Sequence, residues 1–330
     1  MRVDIGRLQR GPVRGYSHTV SDKILVIKLG ALGDFVQAAG PFSTVREHHH
    51  RSTITLLTTE PFAEFAVKSP WFDQVWIDRR PKLLNIPDWL SLRSQLLGAD
   101  FSRVYDLQTS NRSSHYFKLF WPHKAPEWSG IAGGCSHPHA NPKRDFMHTL
   151  ERQAEQLEMA GLSAPPVPDF SWVQSDLSRF GLTDRFAVLA PGGAPHRPDK
   201  RWPAASCAEL AAQLEEDGLQ PVVIGMAAEK DLGDEVVAEC ESGLNLAGET
   251  SLEDLFLLAR QAECAIGNDT GPMHIFAAEG CRTLVLYSNA SDPAFCAQRG
   301  DKVNILRRES LGDLSVKDVT AALATGTALS

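Results

Sequence analysis

Short apolar runs alternate with longer amphipathic segments along the chain from Lys23 onwards. Apolar runs of about four to eight residues between turn residues predict buried strands, and longer segments with helical spacing predict crossover helices. This alternation is typical of parallel sheets covered by helices, so it predicts the α/β class. The predicted strands are 24–29, 53–57, 74–77, 103–107, 186–190, 221–225, 264–267 and 283–287. The predicted helices are 34–46, 62–68, 89–97, 147–160, 203–216, 229–240, 252–261, 271–279 and 316–324.

The pattern is interrupted once, where 163–170 (SAPPVPDF) carries three prolines in eight residues. Proline continues neither a helix nor a central strand, so an interdomain linker is predicted over 163–180. A length of 330 residues favours two domains. We therefore expect domains over 23–162 and 181–330, with a ligand cleft between the carboxyl ends of their strands. Residues 1–22 lack an apolar period and are predicted to form a flexible extension.

The formal net charge of -8 argues against a general affinity for nucleic acid or anionic membrane. The six cysteines are scattered without a Cys-x-x-Cys pair, which is typical of reduced thiols and predicts a cytoplasmic protein. Basic residues are concentrated in 1–15, 79–82 and 111–148. Each stretch is either a solvated face or a surface that meets an acidic acceptor or phospholipid, with peripheral contact at the inner face of the membrane.

A glycine turn follows the first predicted strand, with Gly30 and Gly33 preceding Asp34. Glycines let the backbone turn sharply and let another group approach. Asp34 begins the next predicted helix, so it is either a helix cap or a carboxylate acting as a general base on an acceptor hydroxyl. A dinucleotide site is disfavoured, because its G-x-G-x-x-G pattern is present only as G-x-x-G.

A second glycine turn, with Gly192 and Gly193, follows the strand predicted over 186–190. Its backbone N–H groups are candidates to bind an anion. Lys200 comes shortly before the next predicted helix and is either a surface charge or a cation that neutralises a departing diphosphate.

The run 267–274 (GNDTGPMH) joins a short predicted strand to a helix with proline in its first turn. Thr270 and the N–H of Gly271 are predicted to form an anion site at the positive end of this helix. Asp269 is a candidate acceptor for sugar hydroxyls, and His274 lies one turn into the helix. The alternatives are that Asp269 or Thr270 merely caps the helix and that His274 is a packed or exposed residue.

Taken together, ILVIKLGALGDFVQAAGPF, APGG with DKRWP, NLAGETSLEDL and AIGNDTGPMHIFAAEGCRTLVLY resemble glycosyltransferase family 9, which includes the ADP-heptose:lipopolysaccharide heptosyltransferases. The resemblance spans residues 23–299. It implies a GT-B architecture of two Rossmann-like domains facing across a cleft, with the donor held mainly by the C-terminal domain. It also implies metal-independent, inverting transfer from a nucleotide-sugar donor, by resemblance ADP-linked, to a lipopolysaccharide-core or related glycolipid or oligosaccharide acceptor.

Roles for individual residues follow from the same resemblance. Asp34 matches the proposed catalytic base, and Lys200 matches a lysine near the donor phosphates. The run 269–271 matches the donor-binding turn, and His274 matches the histidine after it. Glu229 matches a partner of the nucleotide ribose, although that alignment is looser.

Two positions depart from the family pattern. Gln37 stands where inner-core enzymes often have histidine, and 288–293 replaces a Gly-Pro-Thr-Asp-Pro type loop. These changes leave open which sugar and which acceptor are used. An epimerase or hydrolase on the same fold and a non-catalytic nucleotide-sugar binding protein remain alternative hypotheses. The histidine triplet 48–50 is not expected to bind metal, because adjacent side chains point in different directions.

Overall fold

The computed structural model describes residues 22–82 and 84–325, together with a short strand at Leu8–Gln9. The chain divides into two compact units, the first ending at Trp172 and the second beginning at Val173. Each unit contains a largely parallel sheet with helices between the strands, so the predicted α/β class is confirmed. Apart from that short strand and Asp22, the extension predicted over 1–22 lies outside the described residues.

The first unit alternates strands and helices in the order expected for parallel crossovers. Its strands are β1 (Leu8–Gln9), β2 (Lys23–Ile27), β3 (Thr53–Thr58), β4 (Gln74–Ile77), β5 (Arg103–Asp106), β6 (Glu127–Gly130) and β7 (His137–Pro138). Its helices are α1 (Leu32–Gln37), α2 (Ala39–His48), α3 (Glu60–Lys68), α4 (Ile86–Ala99), α5 (Asn111–Lys118) and α6 (Thr149–Met159).

The strand order of this sheet is β1-β4-β3-β2-β5-β6-β7, and all pairs are parallel except β1 with β4. Residues Ile24–Ile27 are almost completely buried, because a parallel sheet is covered on both faces. This burial explains the continuous apolar run ILVI. Large aromatic side chains fill one side of the core, including the fully buried Trp128 and Tyr116.

The second unit repeats the same arrangement. Its strands are β8 (Phe186–Ala190), β9 (Gln220–Val223), β10 (Leu244–Asn245), β11 (Cys264–Asn268), β12 (Thr283–Tyr287) and β13 (Val303–Arg307). Its helices are α7 (Ala204–Glu216), α8 (Lys230–Val237), α9 (Leu252–Gln261), α10 (Gly271–Ala278), α11 (Pro293–Cys296) and α12 (Val316–Thr325). The sheet order is β10-β9-β8-β11-β12-β13, and every pair between these strands is parallel.

The predicted helix over 34–46 is instead two successive helices, α1 and α2, which meet at Ala38. Pro41 explains the break, because it has no N–H to donate to the carbonyl of Gln37. Gly40 fits this segment closely: an added Cβ would lie 2.5 Å from the Pro166 carbonyl oxygen. The chain before and after the break therefore still forms one buried segment against the proline-rich stretch.

Candidate active site

Both sheets have the doubly wound strand order, in which the direction of strand progression reverses between two central strands. In the first unit the reversal lies between β2 and β5, and in the second between β8 and β11. Loops after the carboxyl ends of such strands are the usual ligand site of this fold. The turns predicted from the sequence follow β2, β8 and β11, so each lies at a reversal point.

Asp34 lies in the first turn of α1, and its side chain is half-buried. Its Oδ2 accepts a hydrogen bond of 3.2 Å from the backbone N–H of Ala31. Among residues 22–82 and 84–325, no hydrogen-bond donor reaches Oδ1. One carboxylate oxygen therefore caps the helix, while the other remains available to a substrate, so capping and base catalysis are compatible.

Asp34 lines a cavity of about 1530 Å³ in the first unit. The glycine turn forms one wall, and the segment 78–81 with one side of α4 forms another. Both carboxylates and cations reach this space, among them Asp34, Glu60, Arg79 and Arg80. The basic run over 79–82 therefore includes side chains that line the same cavity as the predicted base.

Hydrogen bonds to the Leu29 backbone fix the position of the glycine turn after β2, and they involve the side chains of Gln108, Arg80 and Thr59. Gln108, after β5, accepts a 2.7 Å bond from the Leu29 N–H, and Arg80 donates a 2.9 Å bond to the Leu29 carbonyl oxygen. Gly30 has φ of +116°, and an added Cβ would lie 2.9 Å from the Phe62 ring. Only glycine fits this position without strain, because both backbone conformation and space exclude a side chain.

Two buried ionisable side chains, Lys28 and Asp106, lie near the glycine turn after β2. Lys28 is 3% exposed, and its Nζ donates a 3.2 Å bond to the Leu107 carbonyl oxygen. Burial lowers the pKa of Lys28, although the nearby charge of Asp34 opposes this shift. Burial raises the pKa of Asp106 to about 6, although hydrogen bonds from the Thr109 backbone N–H and other donors act to lower this pKa. Asp34 therefore lies near a buried lysine that was not among the residues singled out from the sequence.

In the second unit, Glu229 connects two loops. Its Oε1 accepts a 2.8 Å bond from the Gly193 N–H, and its Oε2 accepts a 2.8 Å bond from the Met226 N–H. Gly192 leaves room for this carboxylate, since a Cβ there would lie 2.2 Å from Oε1. The anion at this glycine turn is therefore the side chain of Glu229, placed where the loops after β8 and β9 meet.

Asn268, the last residue of β11, joins the glycine turn after β8 to the segment before α7. Its Nδ2 donates to the carbonyl oxygens of Pro191 and Gly192 at 2.7 and 3.1 Å. Its Oδ1 accepts a 3.0 Å bond from the Trp202 N–H. Asn268 is 1% exposed, so these bonds are fully desolvated. The side chain fixes the loop after β8 against the end of β11.

Lys200 and Asp269 form an ion pair with 2.6 Å between Nζ and Oδ2. Ser291 donates a 2.8 Å bond to the same oxygen, and Tyr287 lies 3.0 Å from Oδ1. Burial by itself would raise the pKa of Asp269, but these donors, Lys200 first, hold it below the ordinary value. Burial and the charge of Asp269 raise the pKa of Tyr287 well above its usual range, so its hydroxyl keeps its proton and can donate.

The start of α10 follows directly. Thr270 is the N-cap residue in an extended conformation, and its side chain makes no capping bond within the described chain. Pro272 supplies no N–H, which makes Gly271 the first backbone donor of this helix. His274 is 9% exposed and lies within the first turn. The structure thus brings Lys200, Asp269, Thr270 and Gly271 together in the second unit.

We expect Gly192→Ala to destabilise the second unit, because its methyl group would displace the Glu229 carboxylate. Losing the two bonds to backbone N–H groups costs about 1–3 kcal/mol of unfolding free energy. Chemical denaturation measures this change. Gly193→Ala is the matched control, since the nearest atom to its added Cβ lies 3.8 Å away. Equal stability of the two variants would contradict this account of Glu229.

We expect Tyr287→Phe to weaken binding of ADP, the nucleotide that the family resemblance implies, about fivefold, the equivalent of ~1 kcal/mol for one lost hydrogen bond. The change removes only the hydroxyl that reaches Asp269. Isothermal titration calorimetry measures the effect. Tyr116→Phe is the control: it removes a buried 2.6 Å bond to Asp78 in the first unit and should leave ADP affinity unchanged. A similar loss in both variants would mean that Tyr287 acts only through general stability.

Within the histidine triplet, His49 is half-buried, while His48 and His50 are exposed. His49 lies 2.8 Å from the Tyr105 hydroxyl, and its ring contacts that of His48 edge-on. Within the described part of the chain, no group of three or more His, Cys, Asp or Glu side chains is placed to hold a metal ion. In the same residues, no helix is long and apolar enough to span a membrane.

Comparison with known proteins gives a consistent result. The family described as "Glycosyltransferase family 9 (heptosyltransferase)" matches residues 89–321. Lipopolysaccharide heptosyltransferase 2 of Salmonella typhimurium is 38% identical over 120 residues, which is 35% of this chain and 34% of that protein. The match thus spans about a third of that relative's length. Lipooligosaccharide heptosyltransferase 2 of Haemophilus ducreyi is 30% identical over 325 residues, covering 86% of this chain and 88% of that protein.

Solved structures show the same fold. The structure titled "Structure of E. coli ADP-heptose lps heptosyltransferase II" superposes with a TM-score of 0.73 at 22% identity, over 92% of this chain and 98% of that one. The E. coli heptosyltransferase WaaC, solved with ADP, superposes with a TM-score of 0.74 at 19% identity, over 92% of this chain and all of that one. At this level of identity the likeness concerns architecture, and it agrees with the doubly wound order of both sheets.

Proposed function

Since this chain belongs to glycosyltransferase family 9, the heptosyltransferases, we propose that it transfers heptose from ADP-heptose to a lipopolysaccharide-core or related glycolipid acceptor. The acceptor class is supported by the Haemophilus ducreyi relative, which is named a lipooligosaccharide heptosyltransferase and aligns over most of its length. ADP as the nucleotide is supported by structural neighbours solved with ADP and with ADP-2-deoxy-2-fluoro heptose. The reaction would take place at the inner face of the cytoplasmic membrane.

The observation that carries the proposal is the ion pair between Lys200 and Asp269 at the start of α10. A donor diphosphate placed at Gly271 and Thr270 would meet the positive end of this helix and the Lys200 ammonium. Asp269, held by Ser291 and Tyr287, orients Lys200 and can accept hydrogen bonds from sugar hydroxyls. Glu229 reaches the loop after β9, where we place the nucleotide ribose.

We infer the chemical step from the chemistry of these residues. Asp34 Oδ1 takes the proton of the acceptor hydroxyl while that oxygen attacks the anomeric carbon of the donor. The bond from this carbon to the diphosphate breaks, and ADP leaves with the bonding electrons. Lys200 stabilises the charge that grows on the leaving oxygen. Attack on the face opposite the leaving group inverts the anomeric configuration, and this route is metal-independent by family resemblance.

We place the acceptor in the cavity of the first unit. Arg79 and Arg80 line it together with Asp34, so an acidic acceptor would find cations beside the base. Arg80 also holds the Leu29 carbonyl oxygen, which couples this cation to the position of the glycine turn. Recognition of the acceptor sugar would fall to the uncharged cavity residues, including Gln95 and Gln108.

Incubation of the protein with ADP-heptose and a lipopolysaccharide-core acceptor tests the proposal, with release of ADP and gain of mass on the acceptor as paired readouts. The expected result is equal amounts of both products. Rapid sugar release or isomerisation without acceptor would indicate an epimerase or hydrolase instead. Binding of ADP without any turnover would indicate a non-catalytic binding protein. Parallel calorimetry with UDP and GDP identifies the base, and preference for either over ADP would contradict the proposed donor.

A further inference from the structure

An exposed apolar surface lies on the first unit, outside the cavity. Leu84 is 91% exposed, Ile86 65%, Leu90 59% and Trp121 79%. We call these four residues the α4 apolar surface. Single exposed apolar side chains are ordinary, but several large ones in one place usually mark a docking site.

Two observations bring these residues to one side of the first unit. Ile86 and Leu90 lie four residues apart on α4, so they share one side of the helix, and Arg93 continues the same row. Arg93 Nη2 donates a 3.0 Å bond to the Trp121 carbonyl oxygen, which brings the loop after α5 beside that row. Leu84 precedes Ile86 by two residues. The surface therefore consists of one edge of α4 together with one loop.

The surroundings of this surface are basic. The range 79–124 contains eight Lys or Arg residues and three Asp residues, whereas the whole chain has a net charge of -8. Lys82, Lys118 and Lys124 are exposed. Apolar side chains surrounded by lysine and arginine match a bilayer surface with anionic headgroups, where burial of apolar groups and charge attraction add together. A self-interface would instead bring like charges together, because a two-fold contact repeats the same patch.

The position of the surface agrees with a lipid-linked acceptor. Asp88, Ser91 and Gln95 of α4 line the cavity that contains Asp34, while Ile86 and Leu90 lie on another side of the same helix. We propose that the α4 apolar surface docks the protein on an anionic phospholipid membrane, so that a glycolipid acceptor is taken from the bilayer it is embedded in. The acceptor part of this inference rests on the proposed function, whereas membrane docking does not.

Co-sedimentation with vesicles tests the docking. The full chain is expected to bind vesicles of equal parts phosphatidylcholine and phosphatidylglycerol, with weaker binding to phosphatidylcholine alone and at high salt. The double variant I86S/L90S is expected to lower the partition coefficient at least tenfold. K118Q/K124Q is expected to lower it on the anionic vesicles, since each basic residue near such a surface contributes about fivefold. Val167→Ser, at an 86% exposed position outside the surface, is the matched control.

Several outcomes would overturn the proposal. These are failure of the full chain to bind either vesicle, equal binding by I86S/L90S and Val167→Ser, or a dimer in sedimentation velocity that I86S/L90S converts to a monomer. An unchanged thermal unfolding transition of I86S/L90S relative to Val167→Ser shows that the first unit, which contains α4, is folded in this variant. Transfer from ADP-heptose to a delipidated acceptor separates membrane docking from the proposed transfer reaction. If the unaltered protein shows no such transfer, the proposed function is contradicted, whereas membrane docking is judged from vesicle binding alone.

Discussion

Replacement of Asp34 by Asn is expected to reduce the rate of sugar transfer by ~10²–10⁴ and to leave ADP affinity unchanged. The amide oxygen of Asn can still accept the bond from the Ala31 N–H, so the start of α1 is preserved. What is lost is the carboxylate oxygen that would take the acceptor proton. Single-turnover rates and calorimetry with ADP measure the two quantities.

Asp88→Asn provides the control for this variant. Asp88 lines the same cavity, and its carboxylate accepts a bond from Asn85, the N-cap residue of α4. Its replacement changes the charge of the cavity by the same amount without removing the proposed base, so transfer should fall by less than about tenfold, below the contribution of a general base. Near-normal turnover by the Asp34 variant, or an equal loss in both, would remove Asp34 from the mechanism.

Lys200→Ala is expected to lower the transfer rate by ~10²–10³, because the Lys200 ammonium would no longer stabilise the departing diphosphate. The change also leaves Asp269 without its ion-pair partner at a site where both side chains are mostly buried. The bonds from Ser291 and Tyr287 remain, so the unfolding free energy should fall by about 1–3 kcal/mol rather than by the full cost of an isolated buried charge. Rapid-mix kinetics and denaturant titration measure these effects.

Lys317→Ala separates the specific role of Lys200 from a general change of charge. Lys317 is exposed on α12 of the same unit, so its loss should alter neither rate nor stability appreciably. If the Lys200 variant retained its transfer rate while losing stability, the ion pair would be structural and the leaving group would need another partner.

The strands that could be predicted from the sequence are those buried on both faces. Their apolar runs are long enough to stand out, as in Ile24–Ile27 or Phe186–Ala190. Strands β1, β6, β7, β10 and β13 were missed, because LQ, EWSG, HP and LN are short or polar and three residues of β13 are only half-buried. Strand order was not predicted either, since pairing joins residues far apart in the chain.

The candidate site also contains residues that the sequence singled out and residues that it did not. Gly30, Asp34, Lys200 and the run 269–271 lie in turns with distinctive composition, and their roles stay predictions. The residues that hold them carried no such signal. Gln108 and Tyr287 each follow or end an unremarkable strand, and they matter only because parallel strands bring their carboxyl ends to one edge. Asn268 lay within the recognised run, but its bonds to the β8 loop depend on the fold.

The uncapped start of α10 has a consequence for the life of the protein. Within the described chain the Thr270 side chain makes no capping bond, so it satisfies none of the backbone N–H groups in the first turn of α10. A bound phosphate would accept hydrogen bonds from these groups instead. A ligand that binds only the native state raises resistance to unfolding by about 2.7 kcal/mol at a hundred times its dissociation constant. Cells that run short of the nucleotide would then be left with an enzyme more easily digested by their own proteases.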